Sequence, residues 1–100
     1  MAEKMKMMEN LKEKREELFK IAEKYGVENI RVFGSVVRGE ETPKSDIDFL
    51  IRMKKGKDLF DLGGFQYDAT ELLGRRVDVV LEGGIYHMLK ERILNEAKPL

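Results

Sequence analysis

The sequence is poor in several residue types, and each absence limits what the protein can be. It has no cysteine, so neither a disulfide framework nor a zinc–thiolate site can form, which fits a reducing compartment. Lys+Arg and Asp+Glu number 19 each, so the basic excess of a general nucleic-acid or membrane coat is missing. No apolar run approaches the roughly 20 residues of a membrane span, and residues 1–14 are too charged for a signal peptide. We therefore expect a cytoplasmic protein that neither enters membranes nor binds nucleic acid directly.

What the sequence does contain predicts one folded domain over residues 1–100. Apolar residues make up 42% of the chain, enough for a core that buries roughly 60–70% of the unfolded surface. In chain order we predict a helix over residues 3–24, a strand over 29–33, a helical turn over 36–40, a strand over 47–53, a helix over 59–73, a strand over 77–81 and a helix over 85–97 that Pro99 stops. This alternation is typical of an α+β domain in which a small mixed sheet is covered by helices.

Two aspartates stand at the start of the second predicted strand, which is otherwise apolar. Asp46 and Asp48 are costly to fold around unless a cation compensates their charge, and a divalent metal ion would do so. Alternate residues of a strand share a face, so both side chains point the same way, about 6.6 Å apart along the backbone. Ile47, Phe49 and Ile51 then fall on the opposite face, where they can join the core.

A glycine-serine pair breaks the first predicted strand ten residues before the aspartates. Gly34 permits a backbone turn that other residues resist, and it lets a phosphate approach the backbone closely. Ser35 can act as a helix N-cap and leave amide groups and a hydroxyl for an anion. The alternative is a plain turn with two surface aspartates at a strand end, which requires all of these features to coincide by accident.

These residues carry a family resemblance. Gly34-Ser35, ten intervening residues and then Asp46-Ile47-Asp48 resemble the signature of the polymerase-beta-type nucleotidyltransferase superfamily. The longer string Gly-Ser-Val-Val-Arg-Gly, followed by Ser-Asp-Ile-Asp, is similar to the branch of minimal nucleotidyltransferases, the MntA-like antitoxins. Residues 72–80 and 90–97 also match that branch, so the resemblance covers nearly the whole chain.

The resemblance implies a fold and a set of site residues. It implies the nucleotidyltransferase fold, whose strands bring Asp46, Asp48 and a third aspartate, Asp78, to one edge as catalytic residues and metal ligands. Carboxylate oxygens select Mg²⁺ or Mn²⁺, and the three aspartates would bind two such ions. Gly34 and Ser35 would hold the β- and γ-phosphates of ATP. Arg38 either adds positive charge there or is a surface residue that pairs with Glu40 or Glu41.

The reaction that the resemblance implies is attack of a hydroxyl on the α-phosphorus of ATP, which releases pyrophosphate and leaves AMP on the acceptor. In this branch the acceptor is a tyrosine of a HEPN ribonuclease toxin, so a hetero-oligomer with that toxin is possible. One alternative is a binding-only antitoxin that occludes the toxin and keeps a vestigial site, although the intact motif favours activity. Another is a small-molecule nucleotidyltransferase, which the lack of sequence for a second, acceptor-binding domain disfavours.

Three features stay apart from this interpretation. The pair Gly63-Gly64 interrupts a predicted helix, departs from the family pattern and marks a bend or a close helix contact. His87 is the only histidine, and we expect it on a helix surface or in a partner contact rather than in acid–base catalysis. Asp58 is expected to cap the helix that contains the glycine pair.

Overall fold

The computed structural model describes residues 6–42, 44–84 and 87–100, without the side chains of Lys6, His87 and Met88. Its elements are α1 (Lys6–Glu13), α2 (Arg15–Tyr25), β1 (Val27–Phe33), α3 (Ser35–Arg38), β2 (Ile47–Met53), α4 (Leu59–Leu73), β3 (Val77–Leu81), a 3-10 turn (Glu82–Gly84), α5 (His87–Glu96) and β4 (Lys98–Pro99). The predicted α+β class is confirmed. Residues 3–5 and 85–86 of the predicted helices lie outside the described residues, and so does the predicted surface position of the His87 side chain.

The four described strands form one mixed sheet in the order β3-β2-β1-β4. β1 pairs antiparallel with β2 and with β4, whereas β2 and β3 are parallel. Parallel neighbours need a crossover connection, and α4 provides it here. The predicted small mixed sheet is therefore present, with the β1 end, the β2 start and the β3 start at the same edge.

One face of the sheet carries the core. Ile47, Phe49 and Ile51 are completely buried, as their alternation with the aspartates predicts. The Phe49 and Phe65 ring centroids lie 6.4 Å apart and join the sheet to α4. Fully burying a side chain of this size contributes about 1.5–3 kcal/mol. The other core residues are Met7, Leu11, Leu18, Ala22, Val27, Ile30, Val32, Val36, Ala69, Leu73 and Val77.

The predicted first helix is broken in two. Lys14 lies in a turn between α1 and α2, and its ammonium group donates a hydrogen bond to the Leu72 carbonyl oxygen at 3.0 Å. That carbonyl belongs to the last turn of α4, where cations are favoured because the carbonyl groups lack intrahelical partners. The prediction of one continuous helix was wrong at Lys14, where the backbone leaves the helical conformation with a φ of −96° and a ψ of 9°.

The glycine pair in α4 marks a close helix contact. A Cβ atom on Gly64 would overlap the ring of Tyr25 in α2, with the ring Cζ atom at 2.8 Å. Gly63, by contrast, has open space where its Cβ would be. The predicted cap of this helix is also present, because the Asp58 side chain accepts hydrogen bonds from the backbone N–H groups of Phe60 and Asp61.

Three further details differ from the prediction. β1 begins at Val27 rather than at residue 29, because the strand pairs with β2 through an irregularity at which Asn29 has a φ of 56°. Leu89 of the last helix is 47% exposed, although an apolar side chain of this size favours a buried position. Pro99 does not merely end a helix, since it lies in β4 opposite Arg31. None of the described helices is long and apolar enough to cross a membrane.

Candidate active site

Strand pairing brings the predicted aspartates together at one edge of the sheet. Asp48 of β2 lies directly opposite Asp78 of β3 in the parallel ladder, and neighbouring strands are about 4.8 Å apart. Asp46 lies just before β2 rather than inside it, as the chain joins the ladder through the hydrogen bond from the Ile47 N–H group to the Arg76 carbonyl. The Asp46 carboxyl group lies close enough to Asp78 to raise the pKa of Asp78. The three carboxyl groups therefore form one cluster on the face opposite the core.

The cluster is electrostatically strained. Burial raises the pKa of Asp48 to about 6, and the charges of Asp78 and Asp46 add to that rise, while Arg38 opposes it. Burial and the neighbouring carboxyl group of Asp46 also raise the pKa of Asp78. A carboxyl group whose pKa rises in this way is short of positive charge in its surroundings. The cluster would accordingly gain from a bound cation.

Arg76 lies at the mouth of this cluster and was not predicted from the sequence. Its Nε atom is 3.6 Å from a carboxylate oxygen of Asp78 and 3.8 Å from one of Asp46. The side chain is 75% exposed, so this cation can move away at little cost. Its position one residue before β3 could have been predicted by aligning the starts of the two parallel strands.

Gly34 fits closely against the cluster. Its φ of 80° and ψ of −154° lie in a region that only glycine adopts readily. A Cβ atom here would overlap a carboxylate oxygen of Asp48, with the Asp48 Cγ atom at 3.1 Å. The close approach that was predicted for a phosphate is thus made, in this structure, by Asp48.

Ser35 is the first residue of α3 and does not cap it. Gly34 occupies the N-cap position, and no side chain donates or accepts a capping hydrogen bond there. The predicted N-cap role of Ser35 was wrong, because the turn places the glycine at the position where the chain changes direction. Ser35 nevertheless begins the helix directly after Gly34, which lies against Asp48 at the edge that carries the carboxylates.

Arg38 is held by two carboxylates. Its Nε atom donates to Glu40 at 2.8 Å, which is one of the two pairings predicted for a surface arginine. The predicted pairing with Glu41 does not form. Glu41 is paired with Arg75 instead, with the Arg75 Nη1 atom 3.9 Å from Glu41 Oε2. The Arg38 Nη1 atom donates instead to Glu96 at 2.7 Å. Glu96 comes from the last turn of α5 and was not predicted to be near the site.

Hydrogen bonds from Arg75 hold the loop between α3 and β2 in place. Arg75 Nη1 donates to the carbonyl oxygens of Thr42 at 3.1 Å and Ser45 at 3.3 Å. The Ser45 hydroxyl accepts a hydrogen bond from the Thr42 N–H group at 2.8 Å. Glu41 is 8% exposed, and burial raises its pKa. These contacts fix the start of β2 and with it the position of Asp46.

The donor set suits a hard divalent cation, although it is not arranged as a finished metal site. Within residues 6–42, 44–84 and 87–100, no group of three or more His, Cys, Asp and Glu side chains is placed to hold a metal ion as it stands. The carboxylate oxygens are nevertheless the ligands that Mg²⁺ and Mn²⁺ prefer. The raised pKa values of Asp48 and Asp78 and the loosely held Arg76 show that the cluster lacks positive charge. By the chemistry of their donor atoms, the residues present fit such an ion.

Comparison with known proteins identifies relatives of the chain. A family model described as a nucleotidyltransferase domain matches residues 8–100. The chain is 42% identical over 88 residues to a protein of Methanocaldococcus jannaschii named a protein adenylyltransferase, covering 88% of this chain and 95% of that protein. It is 34% identical over 76 residues to the protein adenylyltransferase MntA of Thermococcus cleftensis, covering 76% of this chain and 77% of that protein.

Solved structures agree with the fold. One, described as a minimal nucleotidyltransferase, has a TM-score of 0.82 and 40% identity, and the match covers 92% of this chain and 94% of that one. A toxin–antitoxin complex with AMP-PNP has a TM-score of 0.68 and 20% identity, and the match covers 81% of this chain and 67% of that one. At that identity, the second likeness shows a shared fold.

Proposed function

Because this chain belongs to the nucleotidyltransferase domain family, as its Gly-Ser and Asp-x-Asp motifs predicted, we propose that it transfers AMP from ATP to a hydroxyl group of a partner protein. The observation that carries this proposal is the register in which Asp48 lies opposite Asp78, beside Asp46 and the Gly34-Ser35 turn. The turn that would bind a nucleotide's phosphates therefore lies beside the carboxylates that would bind cations. The match over residues 8–100 supports a single nucleotidyltransferase domain.

Asp46, Asp48 and Asp78 are the proposed catalytic residues and metal ligands. They would hold Mg²⁺, as a pair of ions if both sites fill, with Mn²⁺ as a possible substitute. Bound divalent ions supply positive charge beside the phosphate oxygens. Asp78 would also help to take the proton of the attacking hydroxyl. Arg76, which lies beside Asp46 and Asp78, would swing out when a metal ion takes its place.

Gly34, Ser35 and Arg38 are the proposed ATP-binding residues. Ser35 directly follows Gly34, which lies against the Asp48 carboxylate, and its hydroxyl would donate to a phosphate oxygen. Arg38 lies one helical turn further on and lowers the pKa of Asp48 through its charge, so its guanidinium acts at the same edge. The matching fold of a toxin–antitoxin complex with AMP-PNP supports an ATP-like substrate.

The proposed acceptor is a tyrosine of a HEPN-type toxin, for which this chain is the antitoxin. Support comes from relatives named protein adenylyltransferases, including MntA, and from the toxin–antitoxin structure with the same fold. The described surface also exposes large apolar side chains on α4, Leu59 at 77%, Phe60 at 90% and Tyr67 at 67%. Exposed apolar groups of this kind are typical of surfaces that contact another protein.

Binding without catalysis is the alternative, in which the antitoxin occludes its toxin and the motif is a relic. The variant Asp48→Asn distinguishes the two mechanisms, because it removes the negative charge of a proposed metal ligand and keeps the shape of the side chain. If the chain is an enzyme, this variant lowers the rate of AMP transfer. The loss should exceed the roughly 10–100-fold that is typical of mutating residues which only orient metal ligands. An occluding protein protects as well as before.

The test is co-expression of a HEPN-type toxin with the parent chain, with Asp48→Asn and with Glu71→Gln. Glu71 is exposed on α4, so Glu71→Gln removes one negative charge away from the cluster and serves as the matched control. We expect the control to protect cells and Asp48→Asn to leave the toxin lethal, although both bind it in pull-downs. Protection by Asp48→Asn at matched expression, with no AMP on the toxin, would overturn the enzymatic proposal.

A further inference from the structure

The Glu96 carboxylate, near the C-terminus, accepts hydrogen bonds from one group in the Gly34 turn and from one side chain of α3. Glu96 is the last residue of α5, and its side chain is 17% exposed. One carboxylate oxygen accepts a hydrogen bond from the Gly34 N–H group at 2.6 Å. The other accepts from Arg38 Nη1 at 2.7 Å. One side chain therefore connects the backbone of the turn to the guanidinium one helical turn later.

The C-terminal segment fixes where that carboxylate stands. Directly after α5, β4 pairs with Arg31 and Val32 of β1, immediately before the Gly34 turn. Leu100 donates its N–H group to the Ile30 carbonyl at 3.2 Å, so the end of the chain is tied to the same strand. Glu96 is thus anchored to β1 through the backbone and reaches back to the end of that strand through its side chain.

A fourth acidic side chain beside three aspartates needs a physical reason. The charge of Glu96 adds to the rise in the pKa of Asp48, so its presence makes the cluster less favourable. Burial would also raise the pKa of Glu96 itself, but hydrogen bonds from Arg38 and the Gly34 N–H group outweigh it, and the pKa is lowered. The carboxylate is ionised and both of its oxygens are engaged. Its negative charge is therefore used to hold donors in place.

We propose that Glu96 is a positioning residue for ATP binding, which sets the Gly34 turn and orients the Arg38 guanidinium toward the phosphates. This inference rests on the function proposed above, because it concerns the same phosphate-binding residues. Arg38 is also paired with Glu40, through Nε, but Glu40 is 63% exposed and Glu40→Gln leaves the bond between Glu96 and Gly34 intact. Positioning accordingly depends on Glu96 far more than on Glu40.

The variants follow from the two bonds. Glu96→Ala removes both acceptors, whereas Glu96→Gln keeps an amide oxygen for the Gly34 N–H group and loses the charge that pairs with Arg38. Charged hydrogen bonds of this kind correspond to roughly 10–100-fold in affinity. We expect the dissociation constant for ATP with Mg²⁺ to rise at least about tenfold in Glu96→Ala, and by less in Glu96→Gln. Glu40→Gln is the matched control and should change it by less than about threefold.

The experiment is a calorimetric titration of each full-length variant with ATP and Mg²⁺, well below the thermal unfolding midpoint of that variant. KM for ATP and kcat for AMP transfer are measured alongside. A positioning role raises KM in the order parent, Gln, Ala and leaves kcat within about threefold. In Glu96→Gln, the backbone N–H resonance of Gly34 should stay close to its parent position, and in Glu96→Ala it should shift.

The possible outcomes are distinct. Parent-like ATP affinity in a folded Glu96→Ala variant would reduce Glu96 to a structural residue and overturn the inference, while the proposed function stands. Tighter ATP binding in either Glu96 variant would also overturn it, since the carboxylate would then compete with phosphate. If the parent chain itself bound no ATP with Mg²⁺, the proposed function would fail and the inference with it.

Discussion

Asp48→Asn should stabilise the metal-free protein at neutral pH. The pKa of Asp48 is raised to about 6 from an ordinary value of 3.8, by burial first and by the charges of Asp78 and Asp46 next. An acid whose pKa is raised by folding favours the folded state while it is protonated. Its contribution is complete below the unfolded pKa and is lost as the pH rises through about 6. Above that pH the ionised group works against folding, and the amide does not.

The magnitude is limited by solvent. Two pKa units correspond to about 2.7 kcal/mol if the shift is expressed in full. Asp48 is only half-buried, so screening reduces this to about 1 kcal/mol. Metal should reverse the order, because a ligand that binds only the folded state stabilises it by mass action. The parent would bind Mg²⁺ with three carboxylates, whereas the variant would have two.

The assay is urea unfolding of the parent, Asp48→Asn and Glu71→Gln in EDTA at pH 7.5 and at pH 4, and then at pH 7.5 with Mg²⁺ and ATP. We expect Asp48→Asn to be more stable than the parent in EDTA at pH 7.5, with little difference at pH 4. With metal and nucleotide the parent should be the more stable of the two. If Asp48→Asn were less stable than the parent in EDTA at pH 7.5, the account of a carboxylate cluster short of positive charge would be wrong.

The remaining predictions concern substitutions of three glycines by alanine. Gly34→Ala should cost about 1–3 kcal/mol in urea unfolding because of its backbone conformation, and should weaken Mg²⁺-dependent ATP binding by displacing the Asp48 carboxylate; unchanged affinity would make the turn purely structural. Gly63→Ala should stabilise the isolated chain by up to about 1 kcal/mol in the same assay, since a Cβ there meets open space. Gly64→Ala should lower the unfolding midpoint, because the new methyl meets the Tyr25 ring; equal effects of the two alanines would contradict the helix contact.

The catalytic motif could be predicted because its signals are local. The alternation around Asp46 and Asp48 shows which face is apolar, and the break at Gly34 follows from the residue type alone. Asp78 needed the family resemblance, since a single aspartate in a strand indicates little. Once β2 and β3 are placed side by side, its register opposite Asp48 follows directly.

What could not be predicted depends on contacts between distant parts of the chain. Glu96 lies 62 residues from Gly34, and only the pairing of β4 with β1 brings its carboxylate to the turn. A two-residue strand that contains a proline gives almost no pattern of its own. The contact of Lys14 is equally distant in the sequence, because the Leu72 carbonyl that accepts a hydrogen bond from its ammonium group is 58 residues away.

The central claim is AMP transfer at the aspartate cluster, and the most direct measurement uses two labels. The purified chain is incubated with a HEPN-type toxin and Mg²⁺, once with ATP labelled at the α-phosphate and once with ATP labelled at the γ-phosphate. Attack at the α-phosphorus predicts label on the toxin only from α-labelled ATP, no label in EDTA, and none with Asp48→Asn. Label from γ-labelled ATP would indicate phosphoryl transfer, and α-label that persists with Asp48→Asn would show that this cluster is not the catalytic site.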